Sequence, residues 1–593
     1  MAARTFDASS RDDVSYDDTD TESATPAVPD TNTAETATET KSEKRNFAYL
    51  PRHQIGMRLP RLSPRVDIPQ KTGRAVRDQV VAAGQVWPTR PQATDTIRGW
   101  YVTIFLAILG FFTRFIGLKD ATDVGTPIFD EKHYVPQAWH MLYNQGVEDN
   151  PGYGLVVHPP LGKQIIALSE ALFGYNPLGW RAASALAGVI CIILVVRITR
   201  RLTGSTYAAT LAGLLMVCEG MFTVVSRTGL LDIFLVTFML AALMCLLKDK
   251  DQVEDRMLVT LQQGRTYLSP LGPRWGFRWW RFSAGILLGL SIAVKWSGLY
   301  FVAVFGVLSV MWDVALRRRY RVSRAWVGTI RRDLIPALGS LAVVPIGVYV
   351  ASWWAWLRSE TGVYRHVVGT EIPAEGLTSW IPSPLRALWY YHQQMFEFHA
   401  SLTTSAGYKH PWESKPWDWP INLKPLLYFF ETTPHGKCGP DGCVQAILLL
   451  GTSMIWWAGL FMLLWAVWKV IRHHDPRYVV VLCGYAAGWL PWLLTWDRQM
   501  YFFYAAALVP FLCMGLGMAL AELDGWVPAT PPDKATKARK WIVRWAQELQ
   551  IGRILVAVYV GLVVANFVWI LPIVLGTPIT PGLWQYQHWL PTW

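Results

Sequence analysis

The apolar residues of this chain arrive in blocks of about 20, the length a helix needs to cross the hydrocarbon core of a bilayer. Such blocks recur at about 100–118, 181–197, 206–225, 228–247, 281–296, 298–316, 334–357, 445–468, 478–495, 500–520 and 553–575. With 593 residues, 52% of them hydrophobic and only 17% charged, the chain has too little polar surface for a string of soluble domains. The blocks predict an all-α polytopic membrane protein of about eleven transmembrane helices. Pro159-Pro160 opens a further amphipathic pattern that Gly174 closes, and its single greasy face predicts a helix lying in the interface.

The formal charge of +12 invites a nucleic-acid reading until the cations are located. They cluster at Arg197, Arg200 and Arg201, over 248–280, at Arg317 to Arg321 with Arg331 and Arg332, over 469–477 and over 534–544. If the N-terminus is cytoplasmic, every cluster falls inside, as the positive-inside rule requires. The outer face then carries loops 119–180 and 358–444 and the C-terminal tail. Residues 1–45 are acidic and poor in aliphatics, which predicts a disordered cytoplasmic tail. Residues 46–98 turn basic and suit an anionic inner leaflet. A catalytic membrane unit is expected over 99–520, followed over 521–593 by a cytoplasmic linker, a last helix and an outer tail. No nucleotide-binding pattern is present.

Five of the seven cysteines lie in apolar blocks, whereas Cys438 and Cys443 flank the turn sequence Gly-Pro-Asp-Gly. A disulfide is predicted there, on the oxidising side of the membrane.

The candidate chemistry gathers at the outer face. Asp130 and Glu131 follow the first block and are boxed in by Pro127, Phe129 and Tyr134. A bare acidic pair is as readily a helix cap and first-turn Glu as a general base. Arg181, Arg227, Asp232, Lys295 and Arg498 map to outer helix ends, where ionisable groups mark sites or mutual ion pairs. Asp232 could pair with Arg227 or Lys295, and Arg498, beside Tyr501 and Tyr504, is the best candidate to grip a phosphate. The run from His410 to Pro420, with Trp412, Glu413, Trp417 and Trp419, reads either as an aromatic belt or as a sugar- or peptide-binding surface. His133, His158, His392 and His399 share that face, without the paired spacing of H-E-x-x-H, so no metal site is expected.

Several segments in series carry a family resemblance: Phe129-Asp130-Glu131-Lys132-His133-Tyr134, His158-Pro159-Pro160-Leu161-Gly162-Lys163, Arg181-Ala182-Ala183-Ser184, Ser226-Arg227 with Leu231-Asp232, Lys295-Trp296-Ser297-Gly298, the His410 to Pro420 run and Arg498-Gln499-Met500-Tyr501-Phe502. The chain resembles the actinobacterial-type protein O-mannosyltransferases of the GT-C class of glycosyltransferases. The outer loop over 358–444 departs from eukaryotic relatives, being too short for the β-trefoil MIR domain they carry there.

The resemblance implies transfer of mannose from polyprenyl-phosphate-mannose to Ser or Thr hydroxyls of exported proteins, with the secretion translocon as an expected partner. It implies an inverting single displacement without an essential metal or other cofactor, at the outer face of the plasma membrane. By position, it makes Asp130 the general base and Glu131 its orienter. Arg181 and Arg498 become donor-phosphate ligands, with His158, Lys163, Arg227, Asp232, Lys295 and Tyr504 in support. The nearest alternatives are a GT-C enzyme that glycosylates a lipid or cell-wall glycan, and a lipid-linked sugar transporter.

Overall fold

The computed structural model describes residues 96–148, 157–262, 269–320, 322–407, 410–433, 438–525 and 550–593. The expected acidic tail over 1–45, nearly all of the basic segment 46–98 and the linker core 526–549 lie outside the described residues.

In chain order the described helices of eight or more residues are α1 (Thr96–Phe115), α2 (Glu131–Tyr143), α3 (Leu161–Phe173), α4 (Pro177–Thr203), α5 (Thr206–Val217), α6 (Gly220–Arg227), α7 (Asp232–Gln262), α8 (Trp279–Val294) and α9 (Gly298–Arg319). There follow α10 (Ala325–Ser352), α11 (Ser383–Ser401), α12 (Ser453–His473), α13 (Pro476–Leu494), α14 (Val509–Asp524) and α15 (Ile551–Leu575). Seven of these are long and apolar enough to cross a membrane, or eight if α5 and α6 form one span bent by 62°. The expected count of eleven is larger because α7, α8 and α14 are too charged or too short to qualify on length and composition.

Local chemistry explains the boundaries. Asn176 caps α4 by accepting from the Leu178 and Gly179 amides, Pro177 fills the first turn, and Gly204 ends the helix at φ +66°. The α5–α6 break falls at Glu219, inside an expected single span. Its carboxylate accepts from Phe222 N at 2.6 Å, Trp456 Nε1 at 2.9 Å and Thr452 N at 3.2 Å. Backbone groups freed by a break at membrane depth must be satisfied inside the protein, and Glu219 supplies the acceptors. Gly285 and Gly289, four apart on α8, press against the Ser340 and Pro345 carbonyls, where a Cβ would lie 1.8 Å and 2.8 Å away. Small residues at this spacing let two helix backbones approach.

Two arginines close helix ends across the bundle. Arg114 donates to the Val217 and Met216 carbonyls at the end of α5, at 3.1 Å each. Arg227, closing α6, donates to the Arg114, Ile116 and Gly117 carbonyls at the end of α1, at 2.9, 2.7 and 2.9 Å. The last carbonyls of a helix lack intrahelical partners and favour a cation. At the opposite end of the bundle, Arg278 bridges Asp249 and Asp313, and Arg317 pairs with Asp333 at 2.7 Å, all buried.

One feature departs from the all-α expectation. Leu426–Thr433 (β1) and Cys443–Leu449 (β2) form an antiparallel hairpin, with Leu426 opposite Leu449 and Thr433 opposite Cys443. The apolar run 444–450 was expected to open the helix that starts only at Ser453. Short apolar runs do not distinguish buried strand from helix, and here Gly451-Thr452 separates the two. Cys438 and Cys443 are disulfide-bonded beside this hairpin.

The helix α3 runs from Leu161 to Phe173, with Leu168 and Leu172 exposed. Its Glu170 is fully buried and neither carboxylate oxygen has a partner among the described residues. Burial pushes this carboxyl up to about 8. The folded state therefore holds a proton that the unfolded chain releases above about pH 4, and stability falls as pH rises from there towards 8. Glu170→Gln is expected to melt at a higher temperature than the parent at pH 7.5 and to lose that part of the pH dependence; an equal or lower melting temperature would contradict the unpaired-carboxyl account.

Candidate active site

Asp130 occupies the N-cap position of α2, where its backbone carbonyl accepts from His133 N at 3.0 Å and Tyr134 N at 3.2 Å. Its side chain makes no capping hydrogen bond, so the carboxylate is not spent on the helix. The preceding Phe129 has φ +48°, uncommon for an aromatic residue, and is held there by its ring. That ring stacks on Tyr428 at 4.3 Å and meets Phe503 edge-on at 6.1 Å. Strain of this kind persists where the surroundings over-determine it, and here it fixes the backbone immediately before Asp130. Burial pushes the Asp130 carboxyl up to about 6, with Lys295 and His133 opposing the shift and Asp232 adding to it.

Glu131 has a different role. It is fully buried and accepts from Arg181 Nε at 2.8 Å, Arg181 Nη2 at 2.9 Å, Gly229 N at 2.7 Å and Ile128 N at 3.1 Å. Arg181 spends its remaining donors on the Leu118, Asp120 and Ala121 carbonyls at 3.1, 3.0 and 3.3 Å. Arg181 was expected on the donor phosphate and Glu131 beside the base. Every donor of Arg181 is instead committed to the protein, and the pair welds the loop before α2 to α4. Arg227 likewise spends its guanidinium on the carbonyls that end α1, and with Arg181, Asp120 and Thr228 it lines a small cavity distinct from the one described next.

A cavity of about 650 Å³ opens beside this loop. His158, Asp232, Lys295, His399, Arg498 and Tyr504 form its polar walls, and Leu235, Val236, Leu299, Phe396, Trp492 and Trp496 are among its apolar ones. Asp130 is not part of that lining; Phe129 and Phe503 connect it to the cavity, because Lys295 Nζ stands 5.0 Å over the Phe503 ring and 5.4 Å over that of Tyr504. Asp232, at the start of α7, pairs at 2.9 Å with Lys295, just after α8, and not with Arg227. Lys163 lies off the cavity. It is buried against Glu148 and reaches the His158 carbonyl at 3.4 Å, which anchors the loop carrying His158.

Arg498 sits on the turn after α13. The turn is tied down by an isolated bridge between Thr403 and Arg498 and by Lys415 Nζ donating to the Arg498 carbonyl at 3.0 Å. Arg498 Nη2 donates to His399 Nδ1 at 2.9 Å, and its Nε is buried without a partner among the described residues. His399 in turn donates from Nε2 to the Val157 carbonyl at 3.0 Å. A carbonyl can only accept and a guanidinium only donate, so this bonding requires the neutral imidazole. Burial, then Arg498, pushes His399 down to about 4. The His158 ring stacks on it at 5.4 Å and is pushed well below the usual range by burial and by Lys295. His399 was noted in the sequence only as an outer histidine; its pairing with Arg498 spans 99 residues and leaves no local signal.

The His410 to Pro420 run packs against the Arg498 turn. Ser414 N donates to the Met500 carbonyl at 2.9 Å, and the His410 ring meets Tyr501 at 5.4 Å. Glu413 is engaged by Lys415 and by Thr404 Oγ1 at 2.9 Å. Trp419 is fully buried, donates to Ser414 Oγ at 3.0 Å and packs edge-on to Trp492 and Tyr504, so it is a core residue. Trp412 is half-buried, and Trp417 is exposed. Among the described residues no three His, Cys, Asp or Glu side chains gather as a metal-binding group.

Fold and site together define a multi-pass membrane protein that encloses a cation-bearing, aromatic-walled cavity at one end of a helical bundle. Residues 176–355 match the family model for dolichyl-phosphate-mannose-protein mannosyltransferase. Residues 384–593 match that for the C-terminal four-span region of protein O-mannosyltransferase. The chain is 49% identical to the polyprenol-phosphate-mannose–protein mannosyltransferase of Mycobacterium tuberculosis, over 84% of this chain and 92% of that relative. It is 45% identical to the Corynebacterium glutamicum protein of the same name, over 87% of this chain and 98% of the relative. The fold is shared with the S. cerevisiae protein O-mannosyltransferase Pmt1-Pmt2 complex, solved bound to the sugar donor, at a TM-score of 0.62 and 15% identity over 87% of this chain and 94% of that one. This chain belongs to the protein O-mannosyltransferase family.

Proposed function

We propose that this membrane enzyme transfers mannose from polyprenyl-phosphate-mannose to Ser or Thr hydroxyls of exported proteins by a single inverting displacement. The observation that carries the reading is the juxtaposition of an uncommitted carboxylate, Asp130, with a cavity whose polar end presents Arg498 and Lys295. The cavity's volume suits a sugar phosphate with the first part of its lipid, and its apolar walls suit the polyprenyl chain.

Asp130 takes the proton of the acceptor hydroxyl as that oxygen bonds to the anomeric carbon. The bond from that carbon to the phosphate oxygen breaks, and the lipid phosphate leaves already charged. A phosphate leaving group calls for fixed positive charge instead of a proton donor. Arg498 supplies it through its unspent Nε, while neutral His399 holds the guanidinium without competing as a charge. Lys295 is shared with Asp232 and contributes more weakly. Half-buried Trp412 and exposed Trp417 are the residues of the His410 run placed to meet an acceptor or sugar.

The proposal includes about eleven spans with a cytoplasmic N-terminus, since that arrangement puts the basic clusters inside and the site outside. It takes residues 99–520 as the catalytic unit, and its acceptors as polypeptides met in extended form at the plasma membrane, near the secretion translocon.

Membranes containing the chain are expected to move radiolabelled mannose from polyprenyl-phosphate-mannose to a Ser/Thr/Pro-rich peptide. Label appearing only in lipid or glycan would replace the acceptor, and no transfer at all would reject the function. Arg498→Ala is expected to lower kcat/KM for the donor by about 10²–10³-fold, the range for one charge-stabilising donor. Acceptor-peptide affinity should stay unchanged. If only the acceptor terms move, Arg498 does not hold the phosphate.

A further inference from the structure

We infer that Tyr428 is a substrate-contacting residue, its phenolic O–H donating to a substrate hydroxyl held between it and the Asp130 carboxylate. The inference rests on the proposed transferase reading and extends it to a residue outside the motifs.

Three observations converge on it. Tyr428 is the extra residue of a β-bulge: Leu427 pairs with Leu448 and Phe429 with Ile447, so Tyr428 has no partner in the ladder. Bulges re-aim a side chain out of the strand's alternation and recur beside active sites. Its ring is then fixed by parallel stacking on Phe129, the residue before Asp130, at 4.3 Å and 12°. Finally, Tyr428 is only 5% exposed, and its Oη has no hydrogen-bond partner among the described residues. A buried hydroxyl without a partner costs stability, so the fold retains it at the expense of the resting state.

Burial, and then the Asp232, Asp130 and Glu131 carboxylates, keep the phenol protonated and therefore a donor. The group able to bridge a phenol and a carboxylate is a hydroxyl, which accepts from one and donates to the other. The hydroxyls of the mannosyl donor and the Ser or Thr hydroxyl of the acceptor share that chemistry.

The test is Tyr428→Phe in the full-length membrane enzyme, a change that keeps the stack and removes only the oxygen. Turnover, measured as kcat/KM, is expected to fall about tenfold or more, the size carried by one hydrogen bond. The melting temperature is expected to hold or rise. If the partner is a sugar hydroxyl, donor KM and slow transfer of mannose to water change as well. If it is the acceptor hydroxyl, transfer to water is untouched and only the acceptor kcat/KM falls. Either pattern supports the inference. Unchanged kcat/KM for both substrates, or a lowered melting temperature with intact turnover, overturns it while leaving the transferase reading standing. A parent enzyme that mannosylates no peptide would remove both.

Discussion

Asp130→Asn is expected to abolish most transfer, lowering kcat by about 10²–10⁴-fold, the range a positioned general base contributes. Donor affinity should stay near that of the parent. The substitution keeps the shape of the side chain, and the carboxylate makes no capping bond that the fold would miss. With the Asp130 carboxyl pushed up to about 6, the parent's kcat/KM should rise with pH through that value as the base form appears, then level off. Asn removes that limb. A raised carboxyl also means that the folded state pays for ionisation between about pH 4 and 6, so the variant should be no less stable than the parent at pH 7. Turnover near the parent level in purified Asp130→Asn enzyme would end the base assignment.

Arg181→Met is expected to act on the fold instead. Removing one partner of a buried ion pair leaves an uncompensated charge and destabilises by about 3–5 kcal/mol. Glu131 would keep its Gly229 and Ile128 amides but lose both guanidinium bonds, and the Leu118, Asp120 and Ala121 carbonyls would lose their donor. Thermal unfolding in detergent should show a large drop in midpoint, with donor KM in the surviving folded fraction close to that of the parent. If the midpoint held and donor KM rose, Arg181 would be a phosphate ligand after all. The contrast with Asp130 is pointed: two adjacent carboxylates, one fully committed to four hydrogen bonds and one that makes no capping bond, should fail in different ways.

The membrane character, the helix that opens after Pro160 and is ended by Gly174, and the candidacy of Asp130 and Arg498 were all legible in residue order. Apolar block length and helix punctuation are local quantities, so the chain carries them openly. Residue order left two arginines indistinguishable. Arg181 and Arg498 both stand at helix ends on one face, and only packing shows the first saturated by Glu131 and three carbonyls and the second left with an unspent Nε. It also presented Asp130 and Glu131 as a pair, whereas after the turn at Phe129 one side chain lies in the core bonded to Arg181 and the other makes no capping bond.

What the sequence determined by itself was the solvent of this protein and the family of its chemistry, because hydrophobic length and short motifs need no partner to be read. Which charges remain available was decided by tertiary structure alone. Each contact that consumes Arg181, holds Arg498 or fixes the Tyr428 ring joins residues tens to hundreds of positions apart, and only a packed interior, where an unpaired polar group is costly, gives those pairings their meaning.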